Sequence, residues 1–272
     1  MIKLIATDMD GTLLDGTGQL DLPRLERILD ELDKRGIHFV IATGNEINRM
    51  RLLLGPLIER VALVVANGAR LFKGNQLIAY KCWEDDLVKQ GLSFFRGRET
   101  TDQLVVSTLN GGFVKEGTQF SSIDQFMTPE QAQAFYKRLN FVEEFHPDLF
   151  DGVLKMSLVV GLERLDRITS EVERHFAGRI TAVSSGYGSM DLLQSGVHKA
   201  WGLQQLMEEW GVTADQVMAF GDSANDKELL ELAGYAYAME NAEESLKKLA
   251  NYQAPPNHQG GVYQVLEEYL GL

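Results

Sequence analysis

Short apolar runs alternate with helix-like segments along the first 66 residues of the chain. Between the first two runs, Pro23 stands where a helix would begin, leucines and an isoleucine recur at intervals of three and four, and Gly36 stands where the helix would end. The same alternation returns after His198. The predicted strands are residues 2–7, 37–42, 62–66, 217–221 and 235–239. Strands separated by helices in this way are typical of βαβ units, so we expect an α/β fold with a Rossmann-like, doubly wound parallel sheet.

The middle of the chain follows a different pattern. Two strand-like runs flank Lys73-Gly74-Asn75, which predicts a hairpin. From residue 83 to residue 187, helix-like and strand-like stretches mix without the earlier order, as in an α+β domain. We predict a core domain formed by residues 1–82 and 188–272, and an inserted α+β cap domain formed by residues 83–187.

Polar side chains and glycines follow four of the predicted strands. The segments are Asp8-Met9-Asp10-Gly11-Thr12, Thr43-Gly44-Asn45, Asn67-Gly68 and Gly221-Asp222-Ser223-Ala224-Asn225-Asp226. In an open parallel sheet the ligand binds at the carboxyl ends of the strands, so we expect these segments to meet at one edge. Lys199, at the start of the returning helix, would bring a positive charge to the same edge.

Three carboxylates at that edge require a counter-ion. Unpaired acids held close together repel one another, which makes a cluster of Asp8, Asp10 and Asp222 costly without a positive partner. Mg²⁺ prefers oxygen ligands and commonly bridges carboxylates to a substrate phosphate. The 5 histidines are scattered at intervals that do not suit a zinc site. The sequence therefore predicts a magnesium site.

The same residues suit phosphoryl transfer, which needs a nucleophile in line with the leaving oxygen and positive groups around the phosphoryl oxygens. The carboxylate of Asp8 can attack phosphorus, and Asp10 can act first as general acid and then as general base. The Thr43 hydroxyl, the Lys199 ammonium, backbone amides after Asp8 and Mg²⁺ would hold the phosphoryl oxygens. Taken singly, these motifs are commonly a turn, a loop, a solvated lysine or a helix cap, but their joint occurrence favours the chemical interpretation.

Together, the four segments resemble the ordered motifs of the haloacid dehalogenase superfamily of phosphatases. Asn67-Gly68-Ala69, the large insert and Met239-Glu240-Asn241-Ala242 resemble its Cof-type branch, which has an α/β (C2B) cap. The resemblance implies that Asp8 is the nucleophile and Asp10 the acid and base. It also implies that Asp8, the Asp10 carbonyl and Asp222 hold Mg²⁺.

The remaining site residues follow from the same resemblance. Those that it places around the phosphate and the substrate are Thr43, Gly44, Asn45, Lys199 and Asn225. Asp226 would support the site by orienting Lys199 or a metal-bound water.

The chain departs from the Cof-type pattern at Asn45, where members often carry arginine. A fixed positive charge would then be missing beside the phosphate, which favours a monophosphate on a neutral, hydroxyl-rich body such as a hexose or pentose. Asn45 and Ser185-Gly186-Tyr187-Gly188, which precedes Asp191, resemble the sugar-phosphatase subgroup. As an alternative, Asn45 caps the helix that follows it.

The inserted cap is expected to act as a lid that excludes water and selects the substrate. The side chains of the cap that would select the substrate are not evident in the sequence, and Lys155 is as readily a surface charge as a substrate contact.

The favoured function is a Mg²⁺-dependent phosphatase of sugar phosphates and similar metabolites. A phosphomutase would use the same Asp8 and Asp10. A phospho-acceptor or sensor would use Asp8 alone, and Asp10 argues against it because a durable signal needs slow dephosphorylation.

The charge balance limits the partners of the chain. Its 26 basic and 39 acidic residues give a net charge of −13, which repels nucleic acids and anionic membranes. No apolar run in the sequence reaches the length of a membrane span, and a single cysteine, Cys82, excludes an internal disulfide and fits a reducing compartment. We expect a cytoplasmic protein, a monomer or weak homo-oligomer, that binds a small phosphate monoester and neither nucleic acid nor membrane.

Overall fold

The computed structural model describes residues 1–120, 133, 136–137, 139–184 and 189–272. The chain divides into two compact units. The first consists of Met1–Tyr80 and Gly196–Leu272, and the second consists of Lys81–Ser195. Ser185-Gly186-Tyr187-Gly188, on which part of the predicted likeness to sugar phosphatases rests, lies outside the described residues.

The first unit begins with strands and helices in alternation and ends its amino-terminal part in a hairpin. In chain order these elements are β1 (Leu4–Thr7), α1 (Leu22–Arg35), β2 (His38–Ala42), α2 (Ile47–Leu54), β3 (Ala62–Val65), β4 (Arg70–Lys73) and β5 (Gln76–Tyr80). The helix boundaries follow the sequence signals. Asp21 accepts a hydrogen bond from the backbone N–H of Arg24 at the start of α1, and Gly36 ends that helix in the left-handed conformation, with φ of 63°.

The second unit follows. Its described elements are α3 (Asp85–Phe95), β6 (Val105–Thr108), β7 (Gly111–Lys115), β8 (Leu139–Val142), β9 (Val153–Val159), α4 (Leu162–Phe176), β10 (Ile180–Ser184) and β11 (Ser189–Gln194). The chain then returns to the first unit. The elements there are α5 (Lys199–Trp210), β12 (Val217–Gly221), α6 (Lys227–Leu232), β13 (Tyr235–Met239), α7 (Glu244–Leu249), β14 (Tyr252–Ala254) and α8 (Gly261–Leu270).

The sheet of the first unit has eight strands in the order β14-β13-β12-β1-β2-β3-β4-β5. The strands from β14 to β3 are parallel, and the hairpin of β4 and β5 adds two antiparallel strands. β1 lies between β12 and β2, so the loops that follow these three strands leave the sheet side by side. The predicted α/β class is confirmed. β14 is not among the predicted strands, because two of its three residues are exposed and it lacks an apolar run.

The second unit has its own sheet, in the order β10-β11-β9-β6-β7-β8, and its own apolar core. Neighbouring strands are antiparallel except for β7 and β8, which are parallel. Leu92 of α3 and Val172 of α4 are buried in one cluster with Met156 and Leu192 of the sheet. This is the α+β architecture expected of the insert.

The predicted boundaries of the insert are wrong at its carboxyl-terminal side. Residue 188 was expected to begin the return to the core, but β11 pairs with both β9 and β10 and belongs to the second unit. The return begins at Gly196 instead. The unit also starts two residues before the predicted 83, at Lys81. The sequence pattern does not reveal this, because β11 is not among the predicted strands and Asp191 interrupts its apolar residues.

Lys155 lies on β9 and is buried rather than a surface charge. Its Nζ is 2.8 Å from Asp191 Oδ2 on the neighbouring strand, and Ser157 Oγ donates to the other oxygen of Asp191.

Among the described residues, no helix has the length and apolar character that a membrane crossing requires.

The close packing of α5 on β3 can be tested at Gly202. A methyl group there would lie 2.5 Å from Val64 Cγ1, so the helix or the strand would have to move. Alanine favours a helix over glycine by about 1 kcal/mol, whereas overpacking costs about 1–3 kcal/mol. We therefore expect Gly202→Ala to lower the free energy of unfolding measured by urea denaturation.

Gln204→Ala is the matched control, because Gln204 is exposed on the same helix. It should change the free energy of unfolding by less than about 0.5 kcal/mol. A Gly202→Ala protein as stable as this control would contradict the close packing.

Candidate active site

The centre of the site is a buried lysine between two buried carboxylates. Lys199 Nζ lies 2.7 Å from Asp8 Oδ1 and 2.7 Å from Asp226 Oδ1. Asp8 follows β1, Lys199 is the first residue of α5, and Asp226 lies in the loop after β12. All three are at most 4% exposed. Since removing one partner of a buried ion pair costs about 3–5 kcal/mol, the three groups stabilise one another as a set.

Burial and the neighbouring charges act in opposite directions on these groups. Burial raises the pKa of Asp8 well above its ordinary value, with Lys199 opposing the shift and the other carboxylates adding to it. Burial alone would lower the pKa of Lys199, but Asp226 and Asp8 outweigh it and raise that pKa. Lys199 therefore remains an ammonium at neutral pH.

A third carboxylate, Asp222, lies at the end of β12. Thr12 donates its hydroxyl hydrogen bond to Asp222 Oδ1 at 2.8 Å. Burial and then the charge of Asp226 raise the pKa of Asp222 to about 7. The other oxygen of Asp226 accepts hydrogen bonds from the backbone N–H groups of Asp222 and Ser223, at 3.0 and 3.3 Å. Asp226 thus holds both the lysine and the loop that carries Asp222.

Oxygens from Asp8, Asp222 and Asp226 lie within 4.8 Å of one another. An all-oxygen donor set that carries more negative charge than Lys199 neutralises suits a hard divalent cation such as Mg²⁺. Among the described residues this is the one such cluster, and it contains no histidine or cysteine. Asp8 and Asp222, two of the three predicted metal ligands, lie in this cluster together with Asp226. The Asp10 carboxylate is not part of the cluster, and the role predicted for its carbonyl stays a prediction.

Asp10 instead faces α2. Its side chain is 46% exposed, and both of its oxygens are bound by Arg49, at 2.7 Å from Nη2 and 3.0 Å from Nη1. Asn45 Nδ2 donates a further hydrogen bond to Asp10 Oδ2 at 2.5 Å. Asp8 and Asp10 are therefore in different environments: the first is buried against an ammonium, and the second is half-exposed against a guanidinium.

Arg49 is absent from the predicted site, and its position corrects the interpretation of Asn45. The site does not lack a fixed positive charge, because Arg49 supplies one from one helical turn further along the chain. Asn45 is not the cap of α2 either. The residue at the cap position is Glu46, and the side chain of Asn45 binds Asp10 and the Thr43 hydroxyl. Asn45 lies in the loop before α2 and Arg49 lies in the first turn of the helix, so no helical spacing in the sequence linked the two residues.

Two asparagines join the loops after β3 and β12. Asn225 Nδ2 donates to Asn67 Oδ1 at 3.1 Å, and Asn225 Oδ1 accepts from the Ser223 hydroxyl at 2.8 Å. The backbone of Asn67 lies in the left-handed region, with φ of 54°, which asparagine tolerates better than most residues. The contacts of Asn225 are those of a residue that supports the site.

The loop after β2 completes this edge. Thr43 is buried, and its carbonyl accepts a hydrogen bond from the backbone N–H of Asn67 at 3.0 Å. A Cβ on Gly44 would lie 3.1 Å from Asn67 Oδ1, so the loop approaches Asn67 closely. The predicted residues Asp8, Thr43, Lys199, Asp222, Asn225 and Asp226 thus lie at the carboxyl ends of β1, β2 and β12 or at the start of α5.

Asn241 is a second residue that sequence reasoning did not place in the site. Its Nδ2 donates to the Gly11 carbonyl at 2.8 Å, and its Oδ1 accepts from the backbone N–H of Asn257. Asn257 Nδ2 in turn donates to the Leu14 carbonyl at 3.0 Å. The turn that carries Asp10 is therefore fixed from the carboxyl-terminal part of the chain. The motif around Asn241 was visible in the sequence, but its partner was not.

Comparisons with known proteins show the family of the chain. Residues 5–266 match the model of a family described as haloacid dehalogenase-like hydrolase. The chain is 30% identical to the 5-amino-6-(5-phospho-D-ribitylamino)uracil phosphatase of Escherichia coli K12, over 99% of this chain and 96% of that protein. It is 28% identical to the HMP-PP phosphatase of Serratia proteamaculans, over 92% and 88% of the two chains. The crystal structure of a Streptococcus mutans UA159 protein, 34% identical, superposes with a TM-score of 0.89 over 100% of both chains.

The closeness of the two acidic loops can be tested at Gly11. This residue has φ of +74°, and a Cβ there would lie 2.3 Å from Asp222 Oδ2. We expect Gly11→Ala to displace Asp222 and to weaken Mg²⁺ binding, measured by isothermal titration calorimetry, by roughly tenfold or more.

Gly18→Ala is the matched control. Gly18 has φ of +76° but nothing within 4 Å of the added Cβ, so it carries the same backbone strain without the collision. Both variants should lose about 1 kcal/mol or more of stability. Equal Mg²⁺ affinity in the two variants would show that Asp222 is not held against the turn after β1.

Proposed function

Because this chain belongs to the haloacid dehalogenase-like hydrolases and is a phosphatase of their Cof type, we propose that it hydrolyses sugar phosphates and similar small monoesters through a phosphorylated Asp8. The observation that carries the proposal is the buried contact of Lys199 with both Asp8 and Asp226, beside Asp222. This contact holds one oxygen of the Asp8 carboxylate against the ammonium of Lys199. The same ammonium would neutralise negative charge on a phosphoryl group bound there.

The proposed reaction has two steps. In the first, an Asp8 oxygen forms a bond to phosphorus while the ester P–O bond breaks, and Asp10 gives a proton to the departing oxygen. In the second, water attacks the same phosphorus, Asp10 takes a proton from it, and the bond from phosphorus to Asp8 breaks. Phosphate leaves and both aspartates return to their initial state. Lys199 and the Thr43 hydroxyl hold the phosphoryl oxygens throughout.

The carboxylates fit a magnesium ion, since their donors are all oxygen and burial raises the pKa of Asp222 to about 7 without one. We propose that Asp8 and Asp222 hold the ion, with the Asp10 carbonyl and the support of Asp226. When bound, Mg²⁺ neutralises charge on the phosphoryl oxygens. Thr12 would keep Asp222 oriented for this role through the hydroxyl hydrogen bond it donates.

The substrate we favour is a monophosphate on a hydroxyl-rich body. The charge of Arg49 is already matched by Asp10, so this pair offers no surplus positive charge to a second anionic group. One relative is named for a ribityl phosphate, whose body is such a chain of hydroxyls, and another for HMP-PP, a diphosphate. We also propose that the inserted unit, residues 81–195, selects the substrate.

The nucleophile is tested by Asp8→Asn. An amide is a far poorer nucleophile than a carboxylate, so we expect phosphate release to fall by at least about a thousandfold. Circular dichroism should show that the fold is kept. Asp30→Asn is the control and should retain full activity, because Asp30 is exposed on α1 and is not among the residues of the site. Residual activity of the Asp8→Asn protein near that of the wild type would remove Asp8 from the reaction.

The same assay separates the alternatives. A phosphatase releases phosphate steadily without any bisphosphate activator. A phosphomutase would instead return the phosphoryl group to the sugar, and a sensor would accumulate a long-lived phosphorylated Asp8 after mixing with a phosphodonor.

The substrate class is tested with a panel of phosphate esters. It should contain glucose 6-phosphate, ribose 5-phosphate, 5-amino-6-(5-phospho-D-ribitylamino)uracil, HMP-PP, a nucleoside monophosphate and p-nitrophenyl phosphate. We expect the highest kcat/KM among the esters of polyhydroxylated chains, by roughly tenfold or more over the nucleotide and the diphosphate. A preference for HMP-PP would contradict the monophosphate assignment and leave the nucleophile unchanged.

A further inference from the structure

We propose that Arg49 is the positioning residue of Asp10, and that it holds the acid and base of the reaction in place through a closed ring with Asn45. The inference rests on the proposed function, because it concerns the group that protonates the leaving oxygen. No part of the predicted site contained Arg49, and the position that Cof-type proteins often fill with arginine is Asn45 in this chain.

The contact between Arg49 and Asp10 has the geometry of a fork. Nη2 lies 2.7 Å from Asp10 Oδ1, and Nη1 lies 3.0 Å from Asp10 Oδ2. Two parallel N–H···O bonds from a planar guanidinium fix the direction of a carboxylate as well as its distance. A lysine in the same place would fix only the distance.

Asn45 closes the ring. Its Oδ1 accepts a hydrogen bond from Arg49 Nη1 at 2.6 Å, and its Nδ2 donates to Asp10 Oδ2 at 2.5 Å and to the Thr43 hydroxyl oxygen at 2.9 Å. The three side chains Asp10, Arg49 and Asn45 are thus bonded in a circle that is attached to the buried Thr43. Arg49 lies in the first turn of α2, whose residues Ile47 and Met50 are buried. The guanidinium is therefore carried by an anchored helix.

The ring leaves one oxygen of Asp10 able to exchange a proton. A carboxylate offers about two lone pairs on each oxygen. Oδ2 accepts two hydrogen bonds, from Arg49 and Asn45, whereas Oδ1 accepts one, from Arg49. The side chain is 46% exposed, so a leaving oxygen or a water can reach it. The geometry points to Oδ1 as the oxygen that gives and takes the proton.

Two simpler roles for Arg49 make different predictions. An exposed ion pair that only adds stability is worth about 0.2–1 kcal/mol and its loss would leave the chemistry unchanged. A residue that binds the substrate would change KM for every ester that it touches. Loss of a positioning residue slows the chemical step, and it does so most for the esters whose leaving group must be protonated by an acid.

The experiment compares two esters in Arg49→Gln. p-Nitrophenolate leaves without a proton, whereas the alkoxide of an alkyl phosphate needs one, and kcat/KM reports the reaction up to the breaking of that bond. We expect kcat/KM for the fastest alkyl monophosphate of the panel to fall roughly 100-fold, within the range that general acids supply. The fall for p-nitrophenyl phosphate should be less than about fivefold, with KM little changed for both esters.

Arg51→Gln is the matched control. Arg51 lies on the same helix, is exposed and binds Asn75 and Asn48 rather than the site, so kcat/KM should stay within about twofold for both esters. Arg49→Lys should recover only a minor part of the loss, because an ammonium cannot form the fork.

Asp10→Asn separates failure of this inference from failure of the proposed function. If Asp10→Asn affects both esters equally, Asp10 is not the acid, and the proposed reaction is wrong. In the other case, Asp10→Asn lowers kcat/KM more for the alkyl ester than for p-nitrophenyl phosphate. If Arg49→Gln does not show this difference, or if Arg49→Gln changes only KM, the positioning role is overturned. We expect both single variants to show the difference, and the double variant to lose little more than Asp10→Asn alone.

Discussion

A buried ammonium shared by two carboxylates is the interaction on which this structure depends. Lys199 is 1% exposed, and without Asp8 and Asp226 its ammonium would lose the two carboxylates that bind it inside the protein. Each of the three residues comes from a different stretch of the chain. They meet because β1 and β12 are neighbours in the sheet and because α5 begins close to the ends of these strands. The order of the strands therefore matters to the site as much as the identity of the residues.

Close approach of the backbone makes this meeting possible. A Cβ on Gly11 would collide with Asp222, and a Cβ on Gly68 would lie 2.2 Å from the carbonyl oxygen of His198, directly before Lys199. A Cβ on Gly221 would lie 2.5 Å from Cβ of Asp226. At each of these three approaches one partner is a glycine. A larger residue there would collide with the neighbouring segment and displace part of the site.

The sequence was informative where function follows from chain order. Asp8, Thr43 and Asp222 could be predicted because they directly follow apolar strands, and the carboxyl ends of parallel strands meet at one edge. Lys199 followed from the need for a positive charge. Arg49 and Asn241 escaped prediction for a different reason, since their partners, Asp10 and the Gly11 carbonyl, are determined by side-chain direction and by contacts from distant segments.

The boundary of the insert failed on similar grounds. Residues 189–194 are not among the predicted strands, and no local pattern shows which sheet accepts them. Membership in a sheet is decided by pairing partners, and these lie in the second unit at β9 and β10. Local pattern thus predicts elements and strand ends, whereas pairing and side-chain direction need the folded chain.

The two aspartates of the first motif show why a phosphatase of this kind would need both kinds of environment. A nucleophile must keep its position and its negative charge until it attacks, and Lys199 favours both for Asp8, because it binds one oxygen and opposes the rise in pKa that burial causes. An acid that later becomes a base must be reached first by the leaving oxygen and then by the attacking water, and the half-exposed side chain of Asp10 is open to both. An exposed side chain would be free to rotate, and hydrogen bonds from a neighbouring residue can restrain it without burying it. The bidentate contact of Arg49 does this for Asp10, because it fixes the direction of the carboxylate and leaves one oxygen open.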